Sequence, residues 1–307
     1  MTAETEHVAL VGGSSQVARF LVPRLVRSGR RVDVYSRSPP PWQTSVPVDE
    51  VSLHEIPAKL QVAGRPAALI WLPPLLLLPP LLEALAEAGV RRIVAFGTTA
   101  MFYKALSPSV EDREFARRTQ EAEAALEAAA VAYGLAWTVL RPTMTYGCAR
   151  DDNVTKIANT VRKLRCFPLV GRACGLRQPV HADDLAAACV AVLDNPLTFG
   201  KAYSASGGET LSYREIVVRV FHALDRVPVL VSLPEPVLRG MIALLRRLPR
   251  YRGLSPDMAK RMQRDLCFDH VDAATDFGYS PRPFHLDAEA LGLVGPVTTS
   301  AKEEHAQ

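Results

Sequence analysis

A run of small and polar residues, Gly12-Gly13-Ser14-Ser15-Gln16-Val17-Ala18, stands between an apolar segment and one with helical spacing. Such residues let the backbone turn tightly and aim the free N–H groups of the following helix at a phosphate, where the helix dipole also favours negative charge. Against the spacing G-x-x-G-x-x-G/A, Gly12 fits, Ser15 replaces the second glycine and Ala18 fills the third. This points to a dinucleotide pyrophosphate held by residues 12–17; the alternative is a turn that merely needs small residues. About 24 residues after Gly12, where an NAD site needs a carboxylate for the ribose 2′-hydroxyl, the chain reads Tyr35-Ser36-Arg37-Ser38. No acid stands there, and Ser36 with Arg37 suits a 2′-phosphate. The expected cofactor is NADP, with NAD as the second choice.

The elements around this loop alternate. Apolar runs at 7–11, 31–35, 67–72, 92–96 and 136–140 read as buried strands. Between them, 16–28, 81–88 and 111–133 have helical spacing. Strands separated by helices predict an α/β fold with a doubly wound parallel sheet covered on both faces. From about Asp151 the pattern loosens, except at Val180–Leu193, a turn and then a core helix with Asp183 or Asp184 as the expected N-cap. His181, just before that helix, has an unperturbed pKa near 6.5 and can donate a proton, or can serve as a hydrogen-bonded structural residue.

Composition bounds the function. With 307 residues, 48% of them hydrophobic and 22% charged, the chain is an ordinary globular protein rather than a disordered or coiled-coil one. A net charge of +4 argues against a nucleic-acid binder and suits an anionic substrate or cofactor. Five cysteines with no C-x-x-C pair argue against a disulfide framework or structural zinc, and reduced thiols fit a cytoplasmic setting. The apolar run Ala67–Leu82 carries four prolines and is too short and too broken to span a membrane as a helix, so a strand, a proline turn and a helix start are expected. The stretch 237–266 is basic and amphipathic; it reads as a solvated helix pair, with a membrane-surface or partner contact as the alternative.

Taken together, the loop at Gly12, FGTTAMFYK (96–104), VLRPTMTYG (139–147), RQPVHADDLAAA (177–188) and DFGYSPRPF (276–284) resemble the extended or atypical short-chain dehydrogenase/reductase superfamily. More narrowly, the chain is similar to NAD-dependent epimerase/dehydratase proteins over residues 7–290. The resemblance implies a Rossmann domain over 1–150, completed by 177–206, and a smaller substrate-binding domain over 151–297. A disordered tail is expected at 298–307, and a homodimer is compatible with the family. It further implies that Thr98, Arg141 and Pro142 lie along the cofactor and Thr99 polarises the substrate. Tyr146 would lie near the nicotinamide and Arg177 on substrate phosphates, a role that a guanidinium's bidentate geometry suits.

One departure matters for the chemistry. The family's Tyr-x-x-x-Lys pair, in which a phenol moves the proton and an ammonium tunes it, falls on Phe115 and Thr119, with Glu123 supporting the register. Neither residue can do that work. Tyr103 and Lys104, close after Thr99, are the candidate replacements, with a solvated loop as the alternative. Three readings follow: an oxidoreductase or epimerase of a carbonyl or nucleotide-sugar substrate with a non-standard proton donor, a non-catalytic dinucleotide-binding sensor or assembly subunit, and a lyase or isomerase without net redox change.

Overall fold

The computed structural model describes residues 7–38, 40, 51–55, 66–245, 247 and 258–293. Residues 1–6, most of the basic stretch between 246 and 257, and the tail at 298–307 lie outside the described residues, together with the expectations placed on them.

The apolar runs become parallel strands: β1 (His7–Val11), β2 (Arg31–Ser36), β3 (Val51–Glu55), β4 (Ala68–Trp71), β5 (Arg92–Phe96) and β6 (Ala136–Pro142). The helices between them are α1 (Gln16–Arg27), α2 (Leu82–Glu87), α3 (Ala100–Lys104) and α4 (Val110–Tyr133). Alternation along β1 shows why both faces of the sheet are covered. Val8 and Leu10 pack in the layer holding α1, whereas Ala9 and Val11 pack in the layer holding α2 and α4.

Prolines shape the apolar run after β4. Pro73, Pro74, Pro79 and Pro80 have no N–H to give, so the chain makes two 3-10 turns, Leu75–Leu77 and Pro79–Leu81, before α2 begins. Leu75 and Leu78 are buried there, against the sheet. Among the described residues no helix is long and apolar enough to cross a membrane.

The later chain adds β7 (Met144–Tyr146), α5 (Val154–Leu164), β8 (Phe167–Val170), β9 (Leu176–Arg177), β10 (Pro179–His181), α6 (Ala182–Leu193) and β11 (Lys201–Ala205). It ends with β12 (Leu211–Ser212), α7 (Tyr213–Ala223), β13 (Leu230–Leu233), α8 (Glu235–Leu245), α9 (Met258–Arg261) and α10 (Val271–Phe277). Residues 182–205 return to the first unit: α6 packs on α1, and β11 pairs with β6 at the sheet edge. A separate core gathers α5, β8 and α7 with Phe284 and Leu291.

The parallel sheet runs in the order β11-β6-β5-β4-β1-β2-β3. From β1 the chain goes outwards through β2 and β3, then returns to the other side of β1 for β4. The strand order therefore reverses between β1 and β4, and in open α/β sheets ligands bind at the carboxyl ends of strands at such a switch point. The Gly12 loop leaves β1 at that place.

Candidate dinucleotide and substrate site

The loop is built to leave no room for side chains. Gly12 has φ +97°, in the left-handed region, and a Cβ on it would lie 3.1 Å from Leu72 Cβ at the end of β4. A Cβ on Gly13 would lie 2.4 Å from Val34 Cγ1. The Gly12 and Gly13 N–H groups donate to the Tyr35 carbonyl at 2.9 and 3.2 Å, tying the loop to the end of β2. Ser15 is the N-cap of α1, its Oγ accepting from the Ala18 N–H at 3.1 Å. A hydroxyl that caps through a lone pair still has its proton to donate.

The substitution of the second glycine thus supplies a helix cap and keeps a donor for an anion. No acid stands in the first turn of α1, so the helix dipole is not neutralised there. Gln16 Oε1 is buried without a hydrogen-bond partner, a polar atom that a ligand's hydroxyl or amide would satisfy. These features fit a dinucleotide. At the end of β2, Ser36 is buried and its Oγ donates to the Ser38 carbonyl at 2.7 Å, whereas Arg37 is exposed. The β2–β3 register sets Glu55 beside Ser36.

A second feature opens beyond β5. A cleft of about 390 Å³ separates the sheet's carboxyl end from the C-terminal unit. Thr98, Thr99 and Tyr103 line one wall, with Tyr103 one helical turn beyond Thr99. Thr99 is buried, its Oγ1 donating to the Pro142 carbonyl at 3.1 Å. Thr98 Oγ1 accepts from the Ala100 N–H at 3.1 Å. The facing wall brings Asn153, just before α5, and Lys156 of α5 together with Tyr213 and Arg261, and Lys156 Nζ lies 2.9 Å from Oδ1 of Asp152, which also lines the cleft. Burial pushes the Tyr213 phenol up to about 12. Nothing in a contiguous motif announced these four residues. Their nearest sequence signal is the spacing of Lys156 and Thr160, which places both on the cleft side of α5.

Several expected site residues lie elsewhere. Lys104 turns away from the cleft: its Nζ sits 2.9 Å from Asp112 Oδ1 and 4.3 Å from the Phe115 ring centroid. Tyr146 is fully buried rather than facing a substrate, with its ring against His181 and Phe284 and its hydroxyl accepting from the His285 N–H at 3.2 Å. Burial pushes that phenol up to about 12. The pairing of β7 with β10 sets Tyr146 beside His181 and accounts for both positions.

His181, and neither Asp183 nor Asp184, is the N-cap of α6; its Nδ1 accepts from the Asp183 N–H at 3.1 Å. The two aspartates instead meet arginines from outside the helix. Arg24 Nε donates to Asp183 at 3.1 Å, and Arg282 donates to both carboxylates at 2.7 Å. Arg177 lines the cleft, but its guanidinium is spent on the carbonyls of Leu176, Arg261 and Arg264, two of these bonds measuring 2.7 Å. Burial lowers its pKa from the usual arginine value. Arg141, beside Pro142 at the end of β6, is held by Glu123 of α4, with Nε donating to Oε1 at 3.0 Å. On α4, Thr119 is buried and donates to the Phe115 carbonyl at 2.7 Å, and Phe115 is half-buried.

Residues 75–205 match the model of the NAD dependent epimerase/dehydratase family. Over 107 residues the chain is 31% identical to the Arabidopsis thaliana protein "NADH dehydrogenase [ubiquinone] 1 alpha subcomplex subunit 9, mitochondrial", a match covering 34% of this chain and 26% of that one. It is 28% identical over 216 residues to a 2-alkyl-3-oxoalkanoate reductase of Stenotrophomonas maltophilia, covering 63% of this chain and 65% of that one. The matches therefore span about a quarter of the plant subunit's length and just under two thirds of the reductase's. The crystal structure of Thermus thermophilus UDP-glucose 4-epimerase in complex with NAD superposes with a TM-score of 0.64 at 19% identity, covering 93% and 96% of the two chains. At that identity the likeness is one of fold.

Proposed function

We propose that the protein, whose residues 75–205 match the model of the NAD dependent epimerase/dehydratase family, is a nicotinamide-dinucleotide-dependent reductase or epimerase of an anionic carbonyl or nucleotide-sugar substrate. Gly12, Gly13, Ser14, Ser15, Gln16 and Val17 hold the pyrophosphate, and Ser36 with Arg37 selects NADP. Thr98, Arg141 and Pro142 border the cofactor's path. When bound, the nicotinamide supplies hydride transfer. Thr99 holds the reacting oxygen of the substrate once its Oγ1 turns from the Pro142 carbonyl to which it donates, and Tyr103 gives or takes the substrate's proton, a role worth about 10²–10⁴-fold for a positioned side chain. Arg261, together with Lys156 once it exchanges its exposed Asp152 partner for the ligand, neutralises the substrate's negative group. The observation that carries this reading is the single cleft shared by Thr99, Tyr103 and these cations.

A second reading has its own support. In the register that sets Phe115 and Thr119 at the family's proton-moving positions, the Thr119 hydroxyl donates to the Phe115 carbonyl, and on the neighbouring α3 Lys104 is engaged by Asp112. A dinucleotide-binding subunit without turnover fits that arrangement, and the partial similarity to a protein named as a subunit of NADH dehydrogenase [ubiquinone] agrees with it. Calorimetric titration with NADP(H) and NAD(H), followed by NADPH oxidation assays over β-keto acids and nucleotide sugars, separates the two. Turnover that Tyr103→Phe removes supports the enzyme. Tight dinucleotide binding with no turnover across the panel supports the subunit, and no binding at all refutes both.

A further inference from the structure

The charges and hydrogen bonds that the cleft has to give restrict what can fill it. Arg177 gives its donors to three carbonyls. Among the described residues, the other charged side chains of the cleft are Lys156, Arg261 and Asp152, two cations and one anion. Lys156 pairs with Asp152, whose side chain is 87% exposed, whereas Arg261 has no carboxylate partner among the described residues. A ligand with a single acidic group balances this set, and the more heavily charged diphosphate of a nucleotide sugar does not.

Most of the polar wall is also engaged. The Thr143 and Thr160 hydroxyls donate to the Gln178 and Lys156 carbonyls, and Gln178 Oε1 accepts from the Phe268 N–H at 2.7 Å. Sugar hydroxyls or a nucleobase would lose hydration there and regain few partners, which opposes their entry. Tyr103, Asn153 and Tyr213 keep polar atoms for a ligand, and Met144, Phe167, Leu266 and Phe268 make the wall beside them apolar. The Phe268 ring centroid lies 5.7 Å from that of Phe102, which is 39% exposed, so the apolar wall runs out of the cleft to the surface of α3.

We infer that the substrate is an amphiphile with one acidic group, an oxo or hydroxy acid carrying a hydrocarbon chain, rather than a nucleotide sugar. The inference rests on the reading of this cleft as the substrate site. The acid meets Arg261 and Lys156, the reacting oxygen meets Thr99 and Tyr103, and the hydrocarbon lies on Met144, Leu266 and Phe268.

Calorimetric titration of the full chain with unreactive probes, with and without NADP(H), tests it. Octanoate should bind about tenfold more tightly than hexanoate, because its longer chain leaves water. It should also bind about tenfold more tightly than octanamide, which has the chain without the charge. UDP-glucose should show no saturable binding at the same concentrations. Arg261→Gln should weaken octanoate about tenfold, with octanamide binding and thermal unfolding unchanged. Phe268→Ser should shrink the difference between octanoate and hexanoate. Octanoate that does not bind, or that binds no better than octanamide, overturns the inference, and so does tighter binding of UDP-glucose. NADPH oxidation assays separate it from the catalytic reading. Octanoate binding with no reduction of 2-oxooctanoate or longer oxo acids keeps the ligand class and removes the catalytic reading; turnover of UDP-sugars alone does the reverse.

Discussion

Tyr103 and Lys104 are neighbours in the chain, yet α3 sends one to the cleft and the other into the angle with α4. That divergence separates two side chains that are equally plausible proton donors by type. Thr99→Ala should lower kcat at least tenfold and also cost about 1 kcal/mol, since it removes a buried methyl and the hydrogen bond to the Pro142 carbonyl. Tyr103→Phe should lower kcat as much with thermal unfolding nearly unchanged, since it removes only a hydroxyl. Lys104→Met should do the reverse. It leaves chemistry intact and lowers stability by about 1–2 kcal/mol through loss of the Asp112 pair and the Phe115 ring contact. Steady-state kinetics beside denaturant unfolding reads all three; a Lys104→Met enzyme that folds normally but is inactive would return that lysine to the chemistry. At the other end of the site, Arg37→Asp should swing selectivity from NADP(H) towards NAD(H), because it replaces the cation for a 2′-phosphate with an acceptor for the 2′-hydroxyl. Equal affinity of the unaltered protein for the two dinucleotides would remove the basis for that prediction.

At the scale of elements, the start of α6 shows both what the sequence reveals and where it misleads. The core helix is legible because Leu185, Ala186, Cys189 and Val192 recur at helical spacing, and all four are buried. Its cap is not. Aspartate is a favoured N-cap and histidine is not, but β10 pairs with β7 through His181, so the extended chain ends at His181 and the imidazole takes the cap position. The same limit applies to the cleft. The Gly12 loop and Thr99 follow strands in the chain and can be read locally, whereas Lys156, Tyr213 and Arg261 come from separate elements that only tertiary packing brings together.

The capping imidazole has a pH consequence. His181 accepts through Nδ1 and is therefore neutral in the fold; burial first, then the charge of Arg282, lowers its pKa from 6.5. The unfolded chain binds a proton that the fold resists, so this contribution is intact above pH 6.5 and is lost as pH falls below it towards the folded pKa. Asp183 behaves differently. Burial opposes its charge, but Arg282 and Arg24 outweigh it and hold the carboxyl below 3.8, so its contribution persists to lower pH and is lost as pH falls through that folded pKa. Denaturant unfolding at pH about 7.5 and about 5 should show a loss in the unaltered protein that His181→Asn largely removes, since asparagine keeps a cap acceptor without titrating in this range. An equal loss in both proteins would place the sensitive group elsewhere.

At the scale of the molecule, the cleft stays open only if the segment around α9 is held against β9, and Arg177 is the side chain placed to do it. Its donors reach the Arg261 and Arg264 carbonyls, while the Gly175 N–H donates to the Met262 carbonyl at 3.0 Å and the Leu266 N–H to the Leu176 carbonyl at 2.9 Å. Arg261, Met262, Leu266 and Phe268 of that segment form cleft wall. Arg177→Met keeps the bulk but leaves those acceptors without their donor, which should cost roughly 2–3 kcal/mol of stability. Hydrogen exchange should quicken at Leu266 before it does in the central strands, because the loss is local. Substrate KM should rise more than kcat falls, since the wall is displaced while Thr99 and Tyr103 stay where the sheet holds them. Direct phosphate binding by Arg177 makes the opposite prediction: Arg177→Met would weaken an anionic substrate while leaving unfolding and the exchange of residues 258–268 unchanged. Exchange mass spectrometry on the dinucleotide-bound protein, read beside KM, decides between a residue that grips the ligand and one that holds the wall.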